Sequence, residues 1–182
     1  VVVAGVALAT LLGGACNRGP KTPEDAYRRF AEAVRARDAG GLFDALDQET
    51  RWSWMTIQKS HRESYDIVMS TFPEGSERTR QLARFEAGAT SESAKALFTS
   101  QFGDTGWGDL AKGLTDSPRI TAGDVEATVE LAPEVRLVLR KGKDGRWGYT
   151  GLARHADQVK RRAIADLDLL RTSAADYERA AT

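Results

Sequence analysis

The stretch Val125-Glu126-Ala127-Thr128-Val129-Glu130-Leu131 followed by Val135-Arg136-Leu137-Val138-Leu139-Arg140 decides the fold class. Val125, Ala127, Val129 and Leu131 alternate with Glu126, Thr128 and Glu130. A period of two puts alternate side chains on opposite faces, the pattern of a half-buried strand. Val135, Leu137 and Leu139 repeat it against Arg136, Val138 and Arg140. Lys143-Asp144-Gly145 supplies a turn, and Arg146-Trp147-Gly148-Tyr149-Thr150 resumes extended structure, with Trp147 and Tyr149 on one face. Three strands, or four counting Arg119 to Ala122, make an antiparallel meander. Glu126 and Glu130 are placed to face Arg136 and Arg140 across one pair.

On both sides of this sheet the period changes to that of helices. Downstream, a long helix is expected from about Asp157 to Ala180, with Val159, Ala163, Leu167, Leu170, Ala174 and Tyr177 as its stripe. Upstream, Thr22-Pro23-Glu24-Asp25 reads as a helix start: Thr as cap, Pro in the first turn, two acids at the positive end. Tyr27, Phe30, Ala31 and Val34 form its apolar stripe, and Gly40-Gly41 is expected to stop it. Leu42, Phe43 and Leu46 suggest a short second helix ending near Asp47. Residues 51–72 predict the longest helix of the first half, with Trp54, Ile57, His61, Tyr65, Val68 and Phe72 on one face and Met55 and Met69 widening it. Pro73 and Gly75 break it. Ser76 is expected to cap a helix through Phe85 that ends at Gly88. Thr90 or Ser91 is expected to start another through Leu97, Phe98 and Phe102, stopped by Gly103. Trp107, Leu110 and Leu114 mark a weaker helical piece. The expected fold is therefore α+β: N-terminal helices, an antiparallel meander of three to four strands and a long C-terminal helix, residues 22–182 forming one domain.

Composition narrows the function. The 182 residues carry 26 Lys plus Arg and 26 Asp plus Glu. That neutrality argues against a nucleic-acid binder and against strong electrostatic recruitment to a membrane. One Cys closes no internal disulfide and, with two His, excludes Cys-rich zinc and iron–sulfur sites.

The single Cys stands at a telling place. Residues 1–15 are uncharged and, apart from Thr10 and the glycines, apolar, and they end in Gly13-Gly14-Ala15 before Cys16. Fifteen residues fall short of the roughly 20 that a spanning helix needs and suit the apolar region of a signal peptide. A basic leader and an initiating Met are missing, so the expected start is truncated or at an unusual codon. The junction resembles the lipobox of bacterial lipoproteins, in which the Cys is acylated and the signal is cut before it. The resemblance implies lipidation at Cys16, with residues 16–21 as tether, a lipid bilayer as partner and a place in the cell envelope, facing periplasm or exterior. Many members kept at the inner membrane have Asp after the Cys, so Asn17 leans toward the outer one. Gly13 stands where the family usually has Leu, with Leu12 one step away. The alternative is a secreted protein cut after Ala15, with Cys16 a free thiol.

Catalytic motifs are not found. His61, among Trp54, Ile57 and Tyr65, is either an acid or base in a pocket or a histidine at the edge of the core. His155 precedes Asp157 where the last helix is expected to begin, and Asp157 reads as a cap or first-turn acid. Gly103, Gly106 and Gly108 lack the spacing of a phosphate loop and read as hinges around Trp107. Trp52 and Trp54, two apart on a helix, point in different directions, so one of them is expected to be partly exposed. Trp147 and Tyr149 either floor a cavity or pack beneath the helices. No cofactor and no metal are implied.

The opening Thr22-Pro23-Glu24-Asp25-Ala26-Tyr27 through Phe30, Arg37-Asp38-Ala39-Gly40-Gly41-Leu42-Phe43, and Gly145-Arg146-Trp147-Gly148-Tyr149 resemble small envelope lipoproteins with a nuclear-transport-factor-2-like domain. The resemblance implies two N-terminal helices and a curved sheet wrapped around a long helix as a cone. It brings no catalytic residues. Three functions fit these residues: a non-enzymatic binding or scaffolding lipoprotein that meets an envelope protein; a ligand-binding or enzymatic cavity around His61, Tyr65, Trp147 and Tyr149; and an envelope-stress or assembly factor using an exposed apolar stripe on residues 159–177.

Overall fold

A computed structural model of the chain describes residues 19–103, 106–132 and 134–180. The apolar run expected to be a signal region and the predicted lipidation residue Cys16 lie outside them. The fold is α+β. The elements are α1 (Pro23–Ala36), α2 (Ala39–Ala45), α3 (Gln48–Thr71), α4 (Ser76–Thr90), α5 (Ala94–Phe102) and α6 (Trp107–Leu110). Strands β1 (Arg119–Ala122), β2 (Glu126–Ala132), β3 (Val135–Lys141) and β4 (Trp147–Tyr149) follow, then α7 (Ala153–Ala180).

The sheet is the expected antiparallel meander, in order β1-β2-β3-β4. Its register sets Glu130 opposite Arg136 and Glu126 opposite Arg140. Arg136 meets Glu130 at 3.4 Å, but Arg140 turns away to Glu49 of α3 at 2.9 Å. Ala127, Val129, Leu137, Leu139, Trp147 and Tyr149 form its buried face. α1 covers that face, Phe30 lying 4.3 Å from the Tyr149 ring. The cap at Thr22 is as the sequence predicts, its hydroxyl accepting from the Asp25 N–H at 3.2 Å.

Several helix ends differ from expectation. α1 stops at Arg37, which takes the left-handed conformation (φ 50°) and donates back to Ala33 and Val34, while Gly40 and Gly41 fall inside α2. α3 starts earlier, because Asp47 caps it with a bond from the Thr50 N–H. α4 begins after Gly75 without a side-chain cap, and it passes through Gly88 to Thr90. Ser93, not Thr90 or Ser91, caps α5. α7 begins at Ala153, so Asp157 stands inside the helix, held by Lys160 at 2.9 Å and Arg161 at 3.0 Å. Met55 and Met69 do not widen the buried face of α3; both are exposed.

The apolar interior has two parts. The larger joins α1, α2, α5 and the sheet to Trp54, Ile57, Ala156 and Ala163. The smaller comprises Val68, Phe72, Phe85 and Leu170, with Tyr65, Ile67 and Leu82 against it. α3 and α7 pack along each other and run through both. Both bury small residues (Ser53, Ser60 and Ser64 on α3; Ala156, Ala163 and Ala174 on α7), which lets their axes come close. The stripe of α7 is thus covered by α3: Ala163, Leu167, Leu170 and Ala174 are buried. The exposed stripe expected on residues 159–177 is overturned: of Val159, Ala163, Leu167, Leu170, Ala174 and Tyr177, only Tyr177 is exposed.

Candidate functional site

The described chain enters the fold beside β4. The Pro20 carbonyl accepts from the Trp147 N–H at 3.0 Å. A side chain on Gly19 would meet Arg146 Cδ at 2.6 Å, so the backbone passes directly over that arginine. The predicted lipidation residue, Cys16, precedes Gly19 by three positions in the sequence.

The four candidate pocket residues separate into two places. Trp147 and Tyr149 share a face, as their spacing predicts, and both belong to the larger core. Burial pushes the Tyr149 phenol up from its ordinary value. Tyr149 lies at the start of α3, its carbonyl accepting from the Asp47 N–H at 3.0 Å. His61 is fourteen residues further along, about 21 Å at 1.5 Å per residue. It sits between α3 and α4, edge-on to Phe85 with ring centroids 5.6 Å apart, and directly against Gly88. Tyr65 packs on the smaller cluster. The sequence pattern placed these groups on one helix face and one strand face, but α3 outruns the sheet, so no single cavity is lined by all four.

His61 is half-buried. Burial lowers its pKa, Asp166 opposes that shift, and Arg84 adds to it. Arg84 and Asp166 pair with each other across α4 and α7. The ring Nδ1 is buried and has no hydrogen-bond partner among the described residues. These are the surroundings of a neutral imidazole that packs. His155 is exposed and lies at the mouth of a pocket of about 290 Å³ walled by Trp54, Phe98, Phe102 and Leu152. Among the described residues, no group of three or more His, Cys, Asp and Glu is arranged to hold a metal ion.

Two open grooves are more prominent than the predicted cavity. The first, about 640 Å³, lies between α1 and the segment leading into β1. Tyr27 builds it: its hydroxyl donates to the Thr115 carbonyl at 2.6 Å and accepts from the Thr115 N–H at 3.2 Å. Arg35 pins the same segment through Asp116 at 2.7 Å. Glu24, Arg28 and Glu32 add charge of both signs, and Ile120 and Pro118 add apolar surface. Among the described residues β1 is an edge strand, paired only with β2. The sequence showed Tyr27 only as part of a helical stripe, because its partner is 88 residues away.

The second groove, about 740 Å³, lies where α2, α3 and α5 meet the β3–β4 turn. Trp52 and Met55 line it, 49% and 55% exposed. Trp54 is 4% exposed, so the two tryptophans divide as their spacing predicts.

Among the described residues no helix is long and apolar enough to cross a membrane. No protein family, curated protein or solved structure matches the chain.

Proposed function

We propose that this chain is an envelope lipoprotein, anchored through acylated Cys16, whose domain has a non-enzymatic binding role toward another envelope protein. The groove between α1 and β1 carries this reading. It combines an open sheet edge, whose free backbone groups can pair with an extended segment, with a wall of mixed charge and an apolar floor at Ile120 and Pro118. Strand addition takes affinity from main-chain hydrogen bonds and specificity from the side-chain pockets beside them. The anchor rests on the position of the one Cys, directly after an apolar run ending in small residues. Several acyl chains, at about 0.8 kcal/mol per buried methylene, hold a protein durably on a bilayer.

Two measurements test this. The intact mass of membrane-extracted protein is expected to show an acylated Cys16, and Cys16→Ser is expected to release the chain from membranes; retention of Cys16→Ser would refute the anchor. A photo-crosslinking side chain at Ile120, used in intact envelopes, is expected to capture one discrete protein. The same group at exposed Glu178 is expected to capture none. Indistinguishable capture at both positions would remove the groove as the binding site.

A further inference from the structure

The place where the chain enters the fold carries a consequence for how the protein sits. From Cys16 to Gly19 the covalent chain spans at most about 10 Å. Resting on the lipid anchor proposed above, this holds whatever surface surrounds Gly19 and Pro20 at the headgroups. That surface is cationic. Lys21 Nζ lies beside the β3–β4 turn, 4.0 Å from where a side chain on Gly145 would begin. Lys143 and Arg146 are in the same turn. Asp144 is the carboxylate among them, and it is shared by Arg146 at 3.7 Å and Arg51 at 4.0 Å. Lys21 and Lys143 have no ion-pair partner among the described residues. Gln48 ties the turn to α3 by accepting from the Lys143 N–H at 2.9 Å. On the next turn of α3, exposed Trp52 and Met55 share a groove wall with Arg51 and Asp144.

We infer that this face, comprising Lys21, Lys143, Arg146, Arg51, Trp52 and Met55, docks on the anionic lipid surface to which Cys16 is tethered. Cations next to a tether meet phosphate headgroups, and an indole beside them settles at the interface, where its amphipathic ring is at home. The net neutrality of the chain makes such docking weak for a free protein. A tether this short raises the local concentration of lipid enough to make it the resting state. The α1–β1 groove lies at the opposite edge of the sheet, three strand spacings or about 14 Å from β4, so docking leaves it open.

The test uses full-length lipidated protein reconstituted into vesicles of phosphatidylglycerol and phosphatidylethanolamine with brominated acyl chains. Trp54, Trp107 and Trp147 are buried, so contact quenching reports Trp52. Part of the fluorescence is expected to be quenched, and that part is expected to vanish in Trp52→Phe. Each Lys near an anionic surface shifts binding about fivefold. Lys21→Gln/Lys143→Gln is therefore expected to lower the docking equilibrium roughly 25-fold and abolish the quenching, with the protein still on the vesicles and its circular dichroism unchanged. Protein that stays on the vesicles with Trp52 unquenched overturns the docking alone. Equal quenching on neutral phosphatidylcholine overturns the choice of anionic headgroups. Protein that leaves the vesicles with an unmodified Cys16 overturns the anchor, and with it the tether that docking requires.

Discussion

His61 and Gly88 are best understood as a pair. A side chain at Gly88 would overlap the Cβ and Nδ1 of His61, which is why glycine persists inside α4 instead of ending it. Gly88→Ala forces the histidine to move, and overpacking of this kind costs about 1–3 kcal/mol. Urea unfolding is expected to show that loss, and His61→Ala in the same background is expected to recover part of it. Additive costs would mean that the two residues do not share the space. The same histidine sets a pH dependence. Its folded pKa lies below the ordinary 6.5, so the folded state resists a proton that the unfolded chain accepts. The stabilisation is complete above pH 6.5 and is lost as pH falls through 6.5 toward the folded value. Asp166 and Arg84 face the ring and act in opposite senses, leaving burial as the controlling cause. Between pH 7 and 5.5 the Tm is expected to fall more steeply in the parent than in His61→Gln. Parallel curves would show that His61 titrates alike in both states.

Among the elements, α7 gives the sharpest contrast. Leu167 and Leu170 are buried, whereas Leu169 is 65% exposed. Leu167→Ala and Leu170→Ala are each expected to cost about 2–5 kcal/mol, because each leaves a cavity. Leu169→Ala is expected to stay within about 0.5 kcal/mol. Chemical denaturation separates the three, and similar losses at all of them would contradict the packing of α7 on α3. The stripe itself was legible from its period; that α3 covers it was not, since period reports a face and not what lies against it. The strands were legible for the same reason, down to the Glu130–Arg136 pair. Arg140 was not, because Glu49 comes from a helix 91 residues earlier. Glycine was the least reliable sign. Gly103 does end α5 (φ 57°), but Gly88 marks close approach and Gly40-Gly41 is helical. The scatter of the His61, Tyr65, Trp147 and Tyr149 set has a similar cause, in that helix length relative to the sheet is a tertiary property.

For the molecule as a whole, the two apolar clusters differ in size, and stability should follow them. α4 buries only Phe85 and Gly88. Beyond these it is held by half-buried Leu82 against the smaller cluster, by Arg78, which donates to the Met69 carbonyl at 2.8 Å, by the exposed Arg84–Asp166 pair, and by the Ser91 carbonyl, which accepts from Gln58 at 2.7 Å and Arg62 at 3.2 Å. Exposed pairs contribute little, about 0–1 kcal/mol, so the Phe85 ring is the main fastening of α4 on α3. Its removal by Phe85→Ala takes away about 3–5 kcal/mol of packing. The larger core, built from α1, α2, α5 and the sheet, does not contain Phe85 and keeps its own contacts. Local opening follows regions with few buried apolar contacts, so the loss should fall on one part of the chain. Amide hydrogen exchange of Phe85→Ala is expected to accelerate over residues 76–90 and at the C-terminal turns of α3 and α7. Protection in α1, β2 and β3 should stay at the parent level. Uniform acceleration through all of these elements would instead mean that the two clusters open together, and that α3 and α7 couple them as one cooperative unit.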